Sequence, residues 1–142
     1  MHGQDGGFNF EQCLITLNHV VNDHLIYLSC GASFKNCTIA HNAVEGTGFA
    51  LIGWAGFANV TLTNSIFQQN AGALTHYVFG LPDMPFWISA TNSNVQGGFV
   101  PLFVDEFVNV IDTNPQFVNP AQNVYRLKHT SPCIDHACPS AL

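Results

Sequence analysis

Residues of matching character recur along this chain at steps of 24, 28 and 28, far longer than any helix or hairpin period. Phe10, Phe34, Leu62 and Ala90 form one such column. Phe8, Ala32, Val60 and Ile88 form another two residues earlier, and Gln12, Asn36, Asn64 and Asn92 another two residues later. Cys13, Cys37, Ser65 and Ser93 follow, then Ile15, Ile39, Phe67 and Val95, and last Asn18, Asn42, Asn70 and Gly98. Six columns that keep one register over four copies define an internal repeat, one supersecondary unit stacked on itself.

Within each copy the apolar residues alternate with polar ones. Val60 and Leu62 interleave with Asn59, Thr61 and Thr63, and Ile88 and Ala90 with Trp87, Ser89 and Thr91. Period two predicts strands. A single Asn, or Gln12 in the first copy, separates this strand from a second, and Asn tolerates the left-handed backbone of a tight bend. Asn42, Asn70 and Gly98 predict a second bend for the same reason. A third strand is expected at Leu25–Ser29, Phe49–Trp54 and Thr75–Phe79. Three short strands and three bends per copy describe one coil of a right-handed parallel β-helix, an all-β solenoid of four to five coils. One domain over 1–142 is expected, with coils over about 8–108 and a closing segment over about 109–142. Matching residues then sit about 4.8 Å apart, and Asn36, Asn64 and Asn92 stack as a ladder of amides bonded to one another and to the backbone. An antiparallel sandwich also uses short strands but demands no such register. A leucine-rich repeat needs Leu at short fixed spacings that are absent.

The surface of such a fold would be nearly uncharged, because only 8% of residues are charged. Lys35, Arg126 and Lys128 are the only fixed positive groups, against a net charge of −6. Phosphate binding needs clustered Lys or Arg, so nucleic acid is disfavoured, as are anionic polysaccharides. Neutral glycans, a cation or another protein remain as partners. No apolar run has the length of a membrane span. The polar start, Met1 to Asp5, lacks the basic and apolar stretches of a signal peptide. Either export is not encoded here or the chain is a mature or excised piece. Cys13, Cys30 and Cys37 read as small buried hydrophobes, and a Cys133–Cys138 disulfide would require an oxidising compartment.

The segments Asn36-Cys-Thr-Ile-Ala-His-Asn42 and Asn64-Ser-Ile-Phe-Gln-Gln-Asn70 resemble rungs of bacterial right-handed β-helix proteins of the pectin-lyase-like superfamily. Phe67-Gln-Gln-Asn70 also matches the Phe-x-x-Asn motif of polymorphic outer-membrane protein repeats. Ser93 to Gly98, Asn109 to Val118 and Tyr125 to Asp135 follow the order found at the end of many such proteins. Thr130 and His136-Ala137 depart from the Gly and Ala-Gly usual there. The resemblance spans about Phe8 to Ala137. It implies that the terminal block closes the β-helix, with Phe117, Val118, Tyr125, Leu127 and Ile134 covering the open end. It further implies an extracellular or surface location. Only seven polar, Gly-rich residues precede Phe8. The first coil is therefore expected to present an uncapped apolar end, and a homo-oligomer is expected to bury it.

Chemistry-bearing residues concentrate in three predicted excursions, Ala43 to Phe57, Ala71 to Phe86 and Phe99 to Val108. Trp54, His76, Tyr77 and Trp87 are the candidate ligand-binding residues, with rings suited to stacking on sugars. Asp83, Asp105 and Glu106 are the candidate catalytic acids and bases, since glycoside hydrolysis uses two carboxylates across a cleft. A lyase would need a cation beside its carboxylate-bearing intermediate, and few are present. Asp105, Glu106 and Asp112 lack the Gly-spaced acidic loop of a calcium site, and no His or Cys spacing suits a metal. No cofactor is expected. The leading expectation is a non-catalytic β-helix binding or structural module, glycan- or surface-associated. The runner-up is a carbohydrate-active enzyme, hydrolase or lyase, or a fragment of one. The third is a remnant without activity of its own.

Overall fold

The computed structural model describes residues 7–28, 30–47, 51–54, 59–72, 87–96 and 104–134. The described chain is all-β, and its strands stack in parallel across several sheets. The first sheet holds β1 (Phe8–Glu11), β5 (Ala32–Lys35), β9 (Asn59–Thr63), β12 (Trp87–Thr91) and β14 (Val104–Val108), in that spatial order. The second holds β2 (Leu14–Thr16), β6 (Thr38–Ala40), β10 (Ile66–Gln68) and β13 (Asn94–Val95). The third holds β3 (His19–Val21), β7 (Ala43–Glu45) and β11 (Ala71–Gly72). A further pair joins β4 (Ile26–Leu28) to β8 (Ile52–Trp54). The chain thus returns to the same sheets on successive passes, adding one parallel strand each time.

The registers are those of the sequence columns. Phe10 pairs with Phe34, Phe34 with Leu62, and Leu62 with Ala90. Ile15, Ile39, Phe67 and Val95 align in the second sheet. These inward residues form the core, with Phe34, Ile39, Phe67, Ala90 and Val95 fully buried. The Phe10 and Phe34 rings stack at 4.6 Å, and Phe34 meets Phe67 edge-on at 5.6 Å. Burial of such rings and branched chains is the main stabilising force, at about 1.5–3 kcal/mol for each side chain.

Three features differ from the sequence expectation. First, the left-handed residue of the second bend precedes the Asn. Leu17, His41 and Gln69 have φ of 58°, 55° and 58°. The Asn after each turns inward and bonds to the neighbouring pass. At the first bend Gln12, Asn36, Asn64 and Asn92 take φ of 54°, 54°, 50° and 50°, as read from the sequence. Second, the excursions contain regular strands. β8 falls within the strand expected at Phe49–Trp54, but Ala43 to Phe57 also contributes β7, and Phe99 to Val108 contributes β14 rather than a loop. β14 pairs with β12 through a register shift, Ile88 with Val104 but Ser89 with Glu106. That shift hides the fifth pass, which continues to the Asn94–Ile111 bridge. The expected strand at Thr75–Phe79 lies outside the described residues. At β8, a Cβ on Gly53 would collide with the His24 ring, so the missing side chain makes room for that ring.

Third, although the closing segment starts by bridging the last strand of the second sheet at Ile111, its hairpin packs on a side of the stack. β15 (Phe117–Asn119) and β16 (Val124–Leu127) form an antiparallel hairpin around a 3-10 turn at Pro120–Gln122. The hairpin packs on the outer side of the second sheet, where Phe117 and Tyr125 cluster with Ala40 and Ile66. The outward residues Ala40 and Ile66 supply an apolar landing strip there, whereas Val118 and Ile134 remain exposed.

Candidate functional site

Two polar ladders run between passes, and each begins with a residue that the backbone leaves room for at a bend. In the inner ladder, Asn18 donates from its backbone N and Nδ2 to Asn42 Oδ1 at 3.1 and 2.9 Å. Asn42 donates likewise to Asn70 Oδ1, both at 3.0 Å. The Asn70 backbone N donates to Gln96 Oε1 at 2.8 Å, so Gln96 ends the ladder rather than Gly98. The second ladder follows the first bend. The Cys37 backbone N donates to Ser65 Oγ and the Ser65 N to Ser93 Oγ, both at 3.2 Å. Ser65 Oγ and Ser93 Oγ each donate to a carbonyl, Thr63 and Thr91, at 2.9 Å. In that column the Cys37 thiol donates to Phe10 O at 3.3 Å, and burial pushes its pKa above the usual thiol range.

The first-bend amides behave differently. Asn64 Nδ2 donates to Asn36 Oδ1 at 3.3 Å, and Asn109 Nδ2 to Asn92 Oδ1 at 2.9 Å. Between these pairs the pattern breaks. Asn64 Oδ1 is buried yet has no hydrogen-bond partner among the described residues. A cleft of about 360 Å³ lies between the first bend and the closing segment, with Asn64 among the residues that line it. Its floor carries Asn36, Asn64 and Asn92 beside Thr38, Ile66 and Asn94, and its far wall is Leu127, Cys133 and Ile134.

The hairpin is held over the second sheet by polar contacts at the cleft's edge. Asn94 Nδ2 donates to Thr113 O at 2.8 Å and meets Cys133 Sγ at 3.0 Å. Gln68 Nε2 donates to Asn94 Oδ1 and Asp112 Oδ1 at 2.8 and 2.9 Å. Ser131 Oγ donates to Pro115 O at 2.6 Å. Cys133 is a free thiol, and Cys138 lies outside the described residues.

The ladder residues Asn36, Asn64 and Asn92 line this cleft. His76, Tyr77 and Asp83 lie outside the described residues. Trp54 closes β8, Trp87 opens β12, and Asp105 falls at the register shift in β14. Glu106, the next residue, is exposed. Among the described residues there is no cluster of three His, Cys, Asp or Glu side chains suited to a metal, and no helix is long and apolar enough to cross a membrane. Sequence reasoning found the Asn column but not the cleft, because the far wall comes from a tail whose resting place no periodicity reveals. The fold and site together define an all-β protein of stacked parallel strands with an amide-floored cleft that carries no charged side chain among the described residues. Compared with protein-family models, curated proteins and solved structures, the chain matches none of them.

Proposed function

We propose that this chain is a right-handed parallel β-helix, similar to the pectin-lyase-like superfamily, that works as a non-catalytic module binding a neutral, hydroxyl-rich ligand of the glycan class. Register kept through successive parallel strands supports the helix, and parallel crossovers are overwhelmingly right-handed. The observation that carries the function is the cleft floor, where stacked amides offer hydrogen bonds without charge beside apolar walls. Uncharged donors and acceptors next to aliphatic surface suit a sugar, whose hydroxyls ring a C–H face. A binder raises the melting temperature in the presence of neutral polysaccharides and leaves them intact. Release of reducing ends or unsaturated products, lost in Asp83→Asn or Asp105→Asn, would instead establish the carbohydrate-active enzyme.

A second reading, self-association, is favoured by the first pass. Phe8, Leu14, Leu17, Val21 and Tyr27 are 48% to 58% exposed. β1, β2, β3 and β4 are all edge strands, and such edges template pairing with another chain. A second copy docked here would make the protein a homo-oligomer, a structural role that is compatible with glycan binding on the far side.

A further inference from the structure

One column changes its chemistry at the first pass. It reads Cys13, Cys37, Ser65 and Ser93, so its first step, between the first and second passes, joins two thiols. The residues that follow them are in register, Leu14 with Thr38 and Ile15 with Ile39, and Thr38 N donates to Cys13 O at 2.9 Å. Neighbouring strands of a sheet run about 4.8 Å apart, inside the roughly 4.4–6.8 Å between Cα atoms that a disulfide spans. The side chains also point one way. Cys13 Sγ donates to Glu11 O at 3.5 Å and Cys37 Sγ to Lys35 O at 3.4 Å, in each case the carbonyl two residues back. Cys37 Sγ donates further to Phe10 O at 3.3 Å, so it already reaches across to the first pass. Both side chains pack in the same apolar core, Cys37 buried and Cys13 partly so. They are near enough for a charge on Cys13 to disfavour one on Cys37.

We infer that Cys13 and Cys37 form a disulfide site, which on oxidation closes the first pass onto the second with a covalent bond. The oxidant is a small disulfide of the glutathione class. Cys13 is the more exposed thiol and attacks first, as its thiolate, while burial shields Cys37. A bond forms from Cys13 Sγ to one glutathione sulfur, and the other glutathione leaves as a thiolate. Cys37 then gives up its proton, and its sulfur displaces the second glutathione from Cys13. The pair loses two electrons and two protons, and the oxidant takes them up as two thiols. The bond closes a loop of one pass at the end where β1, β2 and β3 are edge strands. Such a cross-link removes entropy from the unfolded chain. It also ties down the pass that has a neighbouring pass on one side only among the described residues.

The test holds the native full chain in glutathione buffers that run from reduced to oxidised. Free thiols are then blocked with N-ethylmaleimide, and chymotrypsin cuts at Leu14, Leu28 and Phe34 to put Cys13, Cys30 and Cys37 on separate peptides. Mass spectrometry is expected to find the Cys13 and Cys37 peptides linked, two hydrogens lighter than their sum. The oxidised chain is expected to melt about 5 °C or more above the reduced one. Cys13→Ser and Cys37→Ser each place in the column the residue that Ser65 and Ser93 already supply, so both variants should fold. In both, the link and the rise in melting temperature are expected to vanish, whereas Cys30→Ser and Cys133→Ser keep them. A native chain that links Cys13 or Cys37 to another cysteine instead, or that keeps a glutathione adduct on Cys13, overturns the pairing. So does a chain whose two thiols are both still blocked by N-ethylmaleimide in the most oxidising buffer. A linked pair with an unchanged melting temperature overturns its role in holding the first pass.

Discussion

The side-chain amide of Asn42 bonds to passes on both sides at once. Its oxygen accepts from Asn18, and its nitrogen donates to Asn70 Oδ1 at 3.0 Å and to Ile15 O at 2.9 Å. Replacing it with Ala strands partners on two neighbouring passes. Asn42→Ala is expected to lower stability by about 2–4 kcal/mol in urea denaturation, whereas Asn36→Gly at the exposed first bend changes it by less than about 1 kcal/mol. Cys37 carries a pH signature. Burial, with the neighbouring Cys13 charge as a smaller cause, raises its folded pKa above the ordinary 9.0. The unfolded thiol therefore ionises first. Its contribution is complete below about pH 9 and is lost as pH rises through the folded value. Wild-type stability minus that of Cys37→Ser should stay flat from about pH 6 to 8 and fall above about 9. The serine variant should fold, because Ser65 holds the same column position and its hydroxyl donates to the carbonyl of Thr63 at 2.9 Å.

The hairpin β15–β16 shows what elements contribute beyond single residues. Tyr125 packs edge-on against Phe117 at 5.1 Å and beside His41 at 5.8 Å. Its hydroxyl and His41 Nε2 are both buried without a hydrogen-bond partner among the described residues. Tyr125→Phe keeps the packing and removes the stranded hydroxyl, so it should raise the melting temperature, by about 1 kcal/mol of stability. Phe117→Ala should loosen the hairpin at a cost of about 3–5 kcal/mol. Legibility differed sharply between elements. The first two sheets were readable because their inward residues repeat as Phe, Leu, Ile and Val at fixed steps. The third sheet was not, because His19–Val21, Ala43–Glu45 and Ala71–Gly72 share little beyond Val20 and Val44. Its bend residues, Leu17, His41 and Gln69, have no common side-chain chemistry at all. The fifth pass escaped because its step from β12 is 17 residues, as from Ala90 to Phe107, and an extra residue at Asp105 shifts its register. The cleft escaped because a tail's lateral docking leaves no periodic trace.

At the scale of the molecule the asymmetry between its two ends stands out. The first pass has its apolar residues half exposed, while the second sheet beyond it lies under the hairpin. If a second copy covers the first pass, light scattering coupled to size exclusion will give twice the chain mass of 15.4 kDa. Val21→Lys with Leu17→Lys would return it to a monomer without lowering the melting temperature of the subunit. A monomeric wild type at micromolar concentration would remove the self-association reading and leave the cleft untouched.

The parallel pairings join each residue to its counterpart one pass away. The sheet bonds and both polar ladders point along one direction, through the stack. A load pressing or shearing whole passes against each other is shared among several sheets and two ladders at once, so the body is stiff. A pull on the first described pass meets only its bonds to the second, whereas the hairpin ties the other end to several passes at once. The same architecture that is stiff under a shared load therefore yields as a knitted row does, loop by loop from that first pass.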